Sequence, residues 1–249
     1  DAKQVSKFYF AVISDLLKID KSKIIHVDHH TCHAAYGFYA SPIRDHRTIV
    51  VTADAFGDFL SGTVSIYNKR QKKIVRVKSY SHKNFQLARI YRFVTLYLKM
   101  LADSHEYKVM GLAPYYSGPK VKEVEKVFDN LQKLRGINFT FNKKVKNIFY
   151  YLEKNLFNFR FDHIAAGLQS FTEKILTKWF ENIIKKYKSG VIVFSGGTSM
   201  NVKANMKISE IKTLKKIFIC GSGTDDTLPI GACYHWAEKY GLSPKPLKT

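Results

Sequence analysis

The sequence has 249 residues, 45% of them apolar and rich in Phe and Tyr, with 41 Lys plus Arg against 20 Asp plus Glu for a formal charge of +21. That length and composition predict a globular protein of one large domain or two lobes. No apolar run approaches the roughly 18 residues of a membrane span, and Cys32, Cys220 and Cys233 are widely spaced without a CxxC pair, which argues against a membrane protein, a disulfide framework or a zinc knuckle and fits a reducing, cytoplasmic setting.

In chain order, the start DAKQVSKFYFAVISDLLKID reads as a charged amphipathic helix, Val5–Leu17, rather than a cleavable signal. A helix within Thr31–Tyr39 follows. Strands are predicted where β-branched and aromatic residues concentrate between turn formers: Thr48–Asp54, Gly62–Tyr67, Ile74–Ser79, Gly190–Ser195 and Lys216–Cys220. Helices are predicted at Phe85–Leu101, Val121–Leu134, His163–Tyr187 and Asp226–Tyr240. Alternating strand-like and helix-like periods imply an α/β or α+β chain. The clearest break is Tyr116–Lys120 (YSGPK), which divides the chain into segments 1–118 and 119–249. The lysine excess is dispersed through KSK, KKVK and IKTLKK without an arginine cluster, a pattern that favours a solvated surface over nucleic-acid binding.

Three stretches can carry chemistry. In DHHTCHAAY, His29 and His33 are four apart, so on a helix their rings share one face and can grip one metal ion. The pair lacks the Glu of HExxH, which argues against a zinc peptidase. Asp54, ending a buried strand, and Asp225, just before a helix, are carboxylates placed to complete a set suited to iron(II) or manganese(II). Asp54 is equally readable as a turn former opening a hairpin, and Asp225 as a helix N-cap. In VIVFSGGTSMNVKAN a buried strand stops at Gly196–Gly197 and a helix is expected directly after, which points backbone N–H groups at an anion. The same strand, glycine turn and helix recur at CGSGTDDTLPIGA, and two such turns mark the crevice of an open α/β sheet. Neither is a GxGxxG or GxxxxGK[ST] fingerprint, so an ordinary tight turn stands beside the nucleotide reading. Lys108 in EYKVMGLAPY can neutralise a phosphate or oxyanion, or snorkel at the surface.

These motifs, taken together and in order, resemble the carbamoyltransferases of the NodU type and the antibiotic-tailoring O-carbamoyltransferases. HVDHHTCHAAYGFYASP is similar to their HHxxHAAxAFYxSPF, TADAFGDFLSG to T(I/V)DGxGDxxSG, and EYKVMGLAPYYSG to EgKvMGLApYG. SGGTSMNVKANMKI and GSGTDDTLPIGACY resemble GGvaLNxxaNgxi and gDxGxaiGAA, and HIAAGLQSFTEKIL resembles the helix before the glycine pair. The resemblance spans His26 to Trp236.

It implies an actin-like (ASKHA, ribonuclease H-like) ATPase superfold with an incomplete first lobe, residues 1–118, and a second lobe, 119–249. It implies transfer of a carbamoyl group from carbamoyladenylate to an acceptor hydroxyl on a small molecule or glycan, the donor being made from ATP by a YrdC-like domain or chain. The family's first strand would precede Asp1 and the YrdC-like domain would follow Thr249. Carried over by motif, His29, His33, Asp54 and Asp225 would hold Fe(II) or a similar divalent metal. Gly57, Gly196, Gly197, Asn201 and Asn205 would bind the nucleotide, and Lys108 and Asp58 would act at the phosphate or carbamoyl end. Ala55, Tyr116 and Thr227 stand where the family has Gly, and each adds a side chain at a place where φ > 0 or close approach is expected. A non-catalytic nucleotide-binding remnant and a tRNA threonylcarbamoyl transferase are the alternatives.

Overall fold

The computed structural model describes residues 2–242. Helix α1 (Ala2–Leu17) leads through a 3-10 turn to α2 (His29–Ala40). Strands β1 (Ile49–Gly57), β2 (Leu60–Asn68) and β3 (Lys73–Ser81) form an antiparallel meander. Helices α3 (Leu87–Tyr97), α4 (Glu106–Leu112) and α5 (Lys120–Asp129) follow, then the small hairpin β4 (Gln132–Arg135) and β5 (Asn138–Phe141). After α6 (Ile148–Leu156) and the long α7 (Phe161–Tyr187) come β6 (Val191–Ser195), α8 (Val202–Ser209), β7 (Lys216–Ile219) and α9 (Leu228–Lys239).

The main sheet runs β3-β2-β1-β6-β7, with β6 parallel to β1 and β7 parallel to β6. Its strands come from both sides of Tyr116–Lys120, and residues from both sides share one core. On one face α3, α5, α6 and α7 bury Phe85, Phe128, Phe171, Trp179 and Phe180. On the other, α2 and α9 cover Val50, Val193 and Tyr67 with Phe38 and Tyr39. Both faces of β1 and β6 are therefore buried, which explains why TIVVTAD and VIVFS read as continuous apolar runs. The protein is thus α/β with a mixed sheet, as the alternating periodicity predicts.

Several elements differ from the sequence reading, and α4 and α6 fall where it predicts no helix. The helix expected over Val121–Leu134 stops at Asp129, because Gln132–Arg135 pairs with Asn138–Phe141 in a hairpin whose turn uses Gly136 at φ +58. The helix expected directly after Gly197 is preceded by a 3-10 turn, Gly197–Met200, and α8 begins at Val202. Residues 243–249, at the end of the second predicted segment, lie outside the described residues.

Candidate functional site: a histidine-carboxylate cluster beside a glycine-walled cleft

The parallel strands β1, β6 and β7 all end at the same edge of the sheet, and the chemistry-bearing residues collect there, as expected for an open α/β sheet. On the first turn of α2, Asp28 caps the helix by accepting from Thr31 N–H at 3.1 Å, and Asp58 Oδ2 accepts from His29 N–H at 2.7 Å. Two of the helix's orphan donors are thereby satisfied by carboxylates, which fixes where α2 starts. Four residues span just over one turn, so His29 and His33 project on one face toward β1.

There they meet Asp54. The β1–β2 register shifts between Ala53 and Gly57, and this bulge frees Asp54 from the ladder. Its Oδ2 lies 3.2 Å from His29 Nε2 and 3.0 Å from His33 Nε2, and the two ring nitrogens are 3.0 Å apart. Asp225 Oδ1 completes the group at 3.6 and 3.5 Å from the same nitrogens. One ligand atom from each of the four residues lies within 4.8 Å of every other. The hairpin turn is made by Asp58 and Phe59, at φ 49 and 65, and Thr227 rather than Asp225 stands at the N-cap position of α9, without a side-chain capping bond.

The electrostatics suit a cation. Burial pulls against a charged His33, but hydrogen bonds to Asp225 and Asp54 outweigh it and raise the ring's pKa. Burial likewise pushes against a charged Asp54, yet its hydrogen bonds to His29 and His33 hold the carboxyl well below the usual range. Two carboxylates and two imidazole side chains thus converge on one point, a donor set that fits a divalent ion with open positions. His30, beside them and fully buried, is different: burial, then the neighbouring His29, pushes its pKa down to about 4, so it is neutral.

Asp54 and Asp225 also line a cleft of about 730 Å³, walled by β1 residues Ala55 and Phe56, by α3 and α4, by Gly197–Asn201 and by Thr224–Asp226. Gly196 takes φ +91, and a Cβ there would lie 2.4 Å from Ala53 O. A Cβ on Gly197 would lie 2.9 Å from Asp54 Oδ1, so the glycine pair lets the loop press against β1 and the cluster. Asn201 caps α8 and exchanges two hydrogen bonds of 3.0 Å with Gln169 of α7. Asn205 is buried and donates to Ser199 O at 2.7 Å, while its Oδ1 and the hydroxyls of Thr198 and Ser199 are buried without partners. Of these residues Thr198 lines the cleft, beside Gly197 and Asn201.

Gly57 lies under the His29 ring, Asp58 holds the start of α2, and neither contributes to the four-residue cluster. Lys108 is exposed on α4, its Nζ 3.0 Å from His105 Nε2, and is not among the cleft-lining residues, although its neighbours Tyr107 and Met110 are. The three positions that lack the family's glycine carry no strain: Ala55 is absent from the positive-φ residues, Tyr116 is extended at φ −142, and Thr227 has φ −89. Sequence reading missed Phe56, Arg92 and Gln169 of this site. Phe56 was visible as an aromatic inside a turn motif, whereas the other two lie on helix faces that only packing identifies.

These features define an α/β protein with a metal-competent cluster opening onto a polar cleft. Comparison of the whole chain identifies its group: residues 2–234 match the model of the carbamoyltransferase N-terminus, and the protein belongs to that family. It is 27% identical over 247 residues to an uncharacterised protein of Methanocaldococcus jannaschii, covering 93% of this chain and 40% of that protein. It is 23% identical to nodulation protein NolNO of Sinorhizobium fredii (91% and 33% covered) and 25% identical to nodulation protein NolO of Bradyrhizobium diazoefficiens (86% and 39%). The chain thus spans two fifths or less of the length of these relatives. Among solved structures it is similar to HypF of T. kodakarensis, with a TM-score of 0.48 and 11% identity over 94% of this chain and 39% of that one. Among the described residues no helix is long and apolar enough to cross a membrane.

Proposed function

We propose that this chain is the transfer domain of an O-carbamoyltransferase, built on an actin-like, ribonuclease H-like fold. The sheet order β3-β2-β1-β6-β7, with only β2 antiparallel to the rest, supports the fold reading. In this reading His29, His33, Asp54 and Asp225 hold Fe(II) or a similar divalent metal. Gly196, Gly197, Asn201 and Asn205 receive the nucleotide part of carbamoyladenylate, with Gly57 leaving room for His29. When bound, the ion supplies positive charge opposite the donor's phosphate and carbonyl oxygens. The acceptor oxygen bonds to the carbamoyl carbon, the bond from that carbon to the phosphate oxygen breaks, AMP leaves with the electron pair, and the hydroxyl proton passes to solvent at the cleft mouth. The chain's own contribution is orientation: the glycine turn and Asn201 fix the donor beside the cluster, and the α3–α4 wall excludes water from one side. Asp58 is a positioning residue for His29, and Lys108 adds positive charge outside the mouth. A YrdC-like domain or chain would make the donor.

The observation that carries this reading is the convergence of four ligand atoms within 4.8 Å at the lip of the cleft, in a chain of this family. A thermal-shift titration with manganese(II), with and without ATP, tests it on the native chain, His33→Ala and Asp225→Ala. Saturation at a hundred times Kd stabilises by about 2.7 kcal/mol, a shift of roughly 5–10 °C for a chain of this size. The native chain is expected to shift with metal and further with ATP, and the two variants to show no metal shift. A native chain that responds to neither ligand refutes the reading.

A further inference from the structure

Directly beneath the four-residue cluster lies a hydrogen-bonded chain that the transfer reading leaves without a role. His30 is fully buried, with its ring centroid 5.2 Å from that of His29 and 6.2 Å from that of His33. Its Nδ1 is 2.9 Å from Thr52 Oγ1, which is in turn 2.8 Å from Thr63 Oγ1 and accepts from Thr63 N–H at 3.0 Å. Thr52 and Thr63 are register partners across the β1–β2 pair, so the chain runs from the helix through the strand into its neighbour. The other side of the ring faces the Leu60 backbone at the start of β2. An apolar side chain of similar volume would fill the same space but would leave Thr52 Oγ1 without this tie to α2.

We infer that His30, through Thr52 and Thr63, is a positioning residue that sets the rotation of α2 about its axis and so the metal geometry. This rests on the proposed metal reading of His29, His33, Asp54 and Asp225. The argument is one of rungs. Thr52 precedes Asp54 by two residues, and both side chains reach α2, Thr52 meeting His30 at 2.9 Å and Asp54 meeting His33 at 3.0 Å. His30–Thr52 and His33–Asp54 are therefore successive ties between one helix and one strand, the first structural and the second ligating. The first turn of α2 is held lengthwise by Asp28 and Asp58 through backbone amides near the helix axis, and off the axis Thr31 Oγ1 is tied to Asp28 and, at 2.7 Å, to Arg76 of β3. The buried tie at His30 adds a second off-axis restraint against rotation, directed to β1 beside the ligand set. Partners of this kind behind a metal ligand set typically govern affinity by 10–100-fold.

The test is manganese(II) affinity by calorimetry, with the visible spectrum of the cobalt(II)-loaded chain as a second readout, on native protein, His30→Leu, His30→Asn and Thr52→Val. His30→Leu and Thr52→Val are expected to melt cooperatively without metal, to bind manganese(II) at least about tenfold more weakly, and to alter the cobalt bands. His30→Asn, whose amide can reach Thr52 from the place of Nδ1, is expected to restore most of the affinity. If the native chain binds manganese(II) and His30→Leu and Thr52→Val bind it equally well with unchanged cobalt spectra, the positioning role is wrong while the metal site stands. If the native chain binds no metal, the metal reading itself fails and this inference falls with it.

Discussion

Gly57 offers the sharpest test of how tightly the cluster is built. A Cβ at this position would sit 2.1 Å from Cγ and 2.2 Å from Cδ2 of His29. Carbon contacts are optimal at about 3.5 Å, so Gly57→Ala forces the ring to retreat by roughly 1.4 Å. The backbone of α2 cannot yield easily, because His29 N–H is bound to Asp58 and Thr31 N–H to Asp28. The His29 ring must therefore swing away from Asp54 and His33. Metal–ligand distances tolerate only about 0.2 Å, so His29 leaves the ligand set. Manganese(II) affinity should fall about 100-fold, equivalent to about 2.7 kcal/mol, while overpacking lowers metal-free stability by about 1–2 kcal/mol. Calorimetry with manganese(II) and denaturant melts of the metal-free chain measure the two effects separately. A variant that binds manganese(II) as tightly as the native chain would show that His29 is not held where the structure has it, or is not a ligand.

Gly231→Ala should be more damaging to the fold, since its Cβ would lie 2.0 Å from Cys32 O where α9 crosses α2; denaturant unfolding is expected to show a loss of about 3 kcal/mol. Asn205→Ala removes the bond to Ser199 O and should cost about 1 kcal/mol, with the metal-induced thermal shift retained and the further ATP increment lost. Glu125 of α5 is buried, and although burial works to raise its pKa, hydrogen bonds from Lys122, Lys174 and Ser170 hold it at about 2. A depressed carboxylate stabilises the fold fully above its ordinary value of 4.5, and that contribution is lost as pH falls from there through 2. Because both lysines are substantially exposed, Glu125→Gln should cost only about 1–2 kcal/mol at pH 7 and should flatten the acid limb of stability between those values, as read by urea melts at a series of pH values.

The α/β class, the main strands, the two glycine turns and the candidate residues His29, His33, Asp54 and Asp225 were legible before folding, because each is written in short-range signals: two-residue and 3.6-residue periods, a four-residue histidine spacing, glycines ending apolar runs. Their order along the chain pointed to the carbamoyltransferase family, and the whole-chain match supports membership. Local periodicity could not detect the β4–β5 hairpin, because Gln132–Arg135 continues a helical pattern and becomes a strand only by pairing with Asn138–Phe141. Nor could it show that Asp225, nearly two hundred residues from His33, comes within 3.5 Å of it. That meeting depends on β1, β6 and β7 lying parallel and ending at one edge, and on the bulge that turns Asp54 out of its ladder. The separation of Lys108 from the cleft and the tie from His30 to Thr52 were likewise decided by packing. Sequence spacing carries which side chains share an element and a face; only the tertiary fold brings the faces of distant elements to one point.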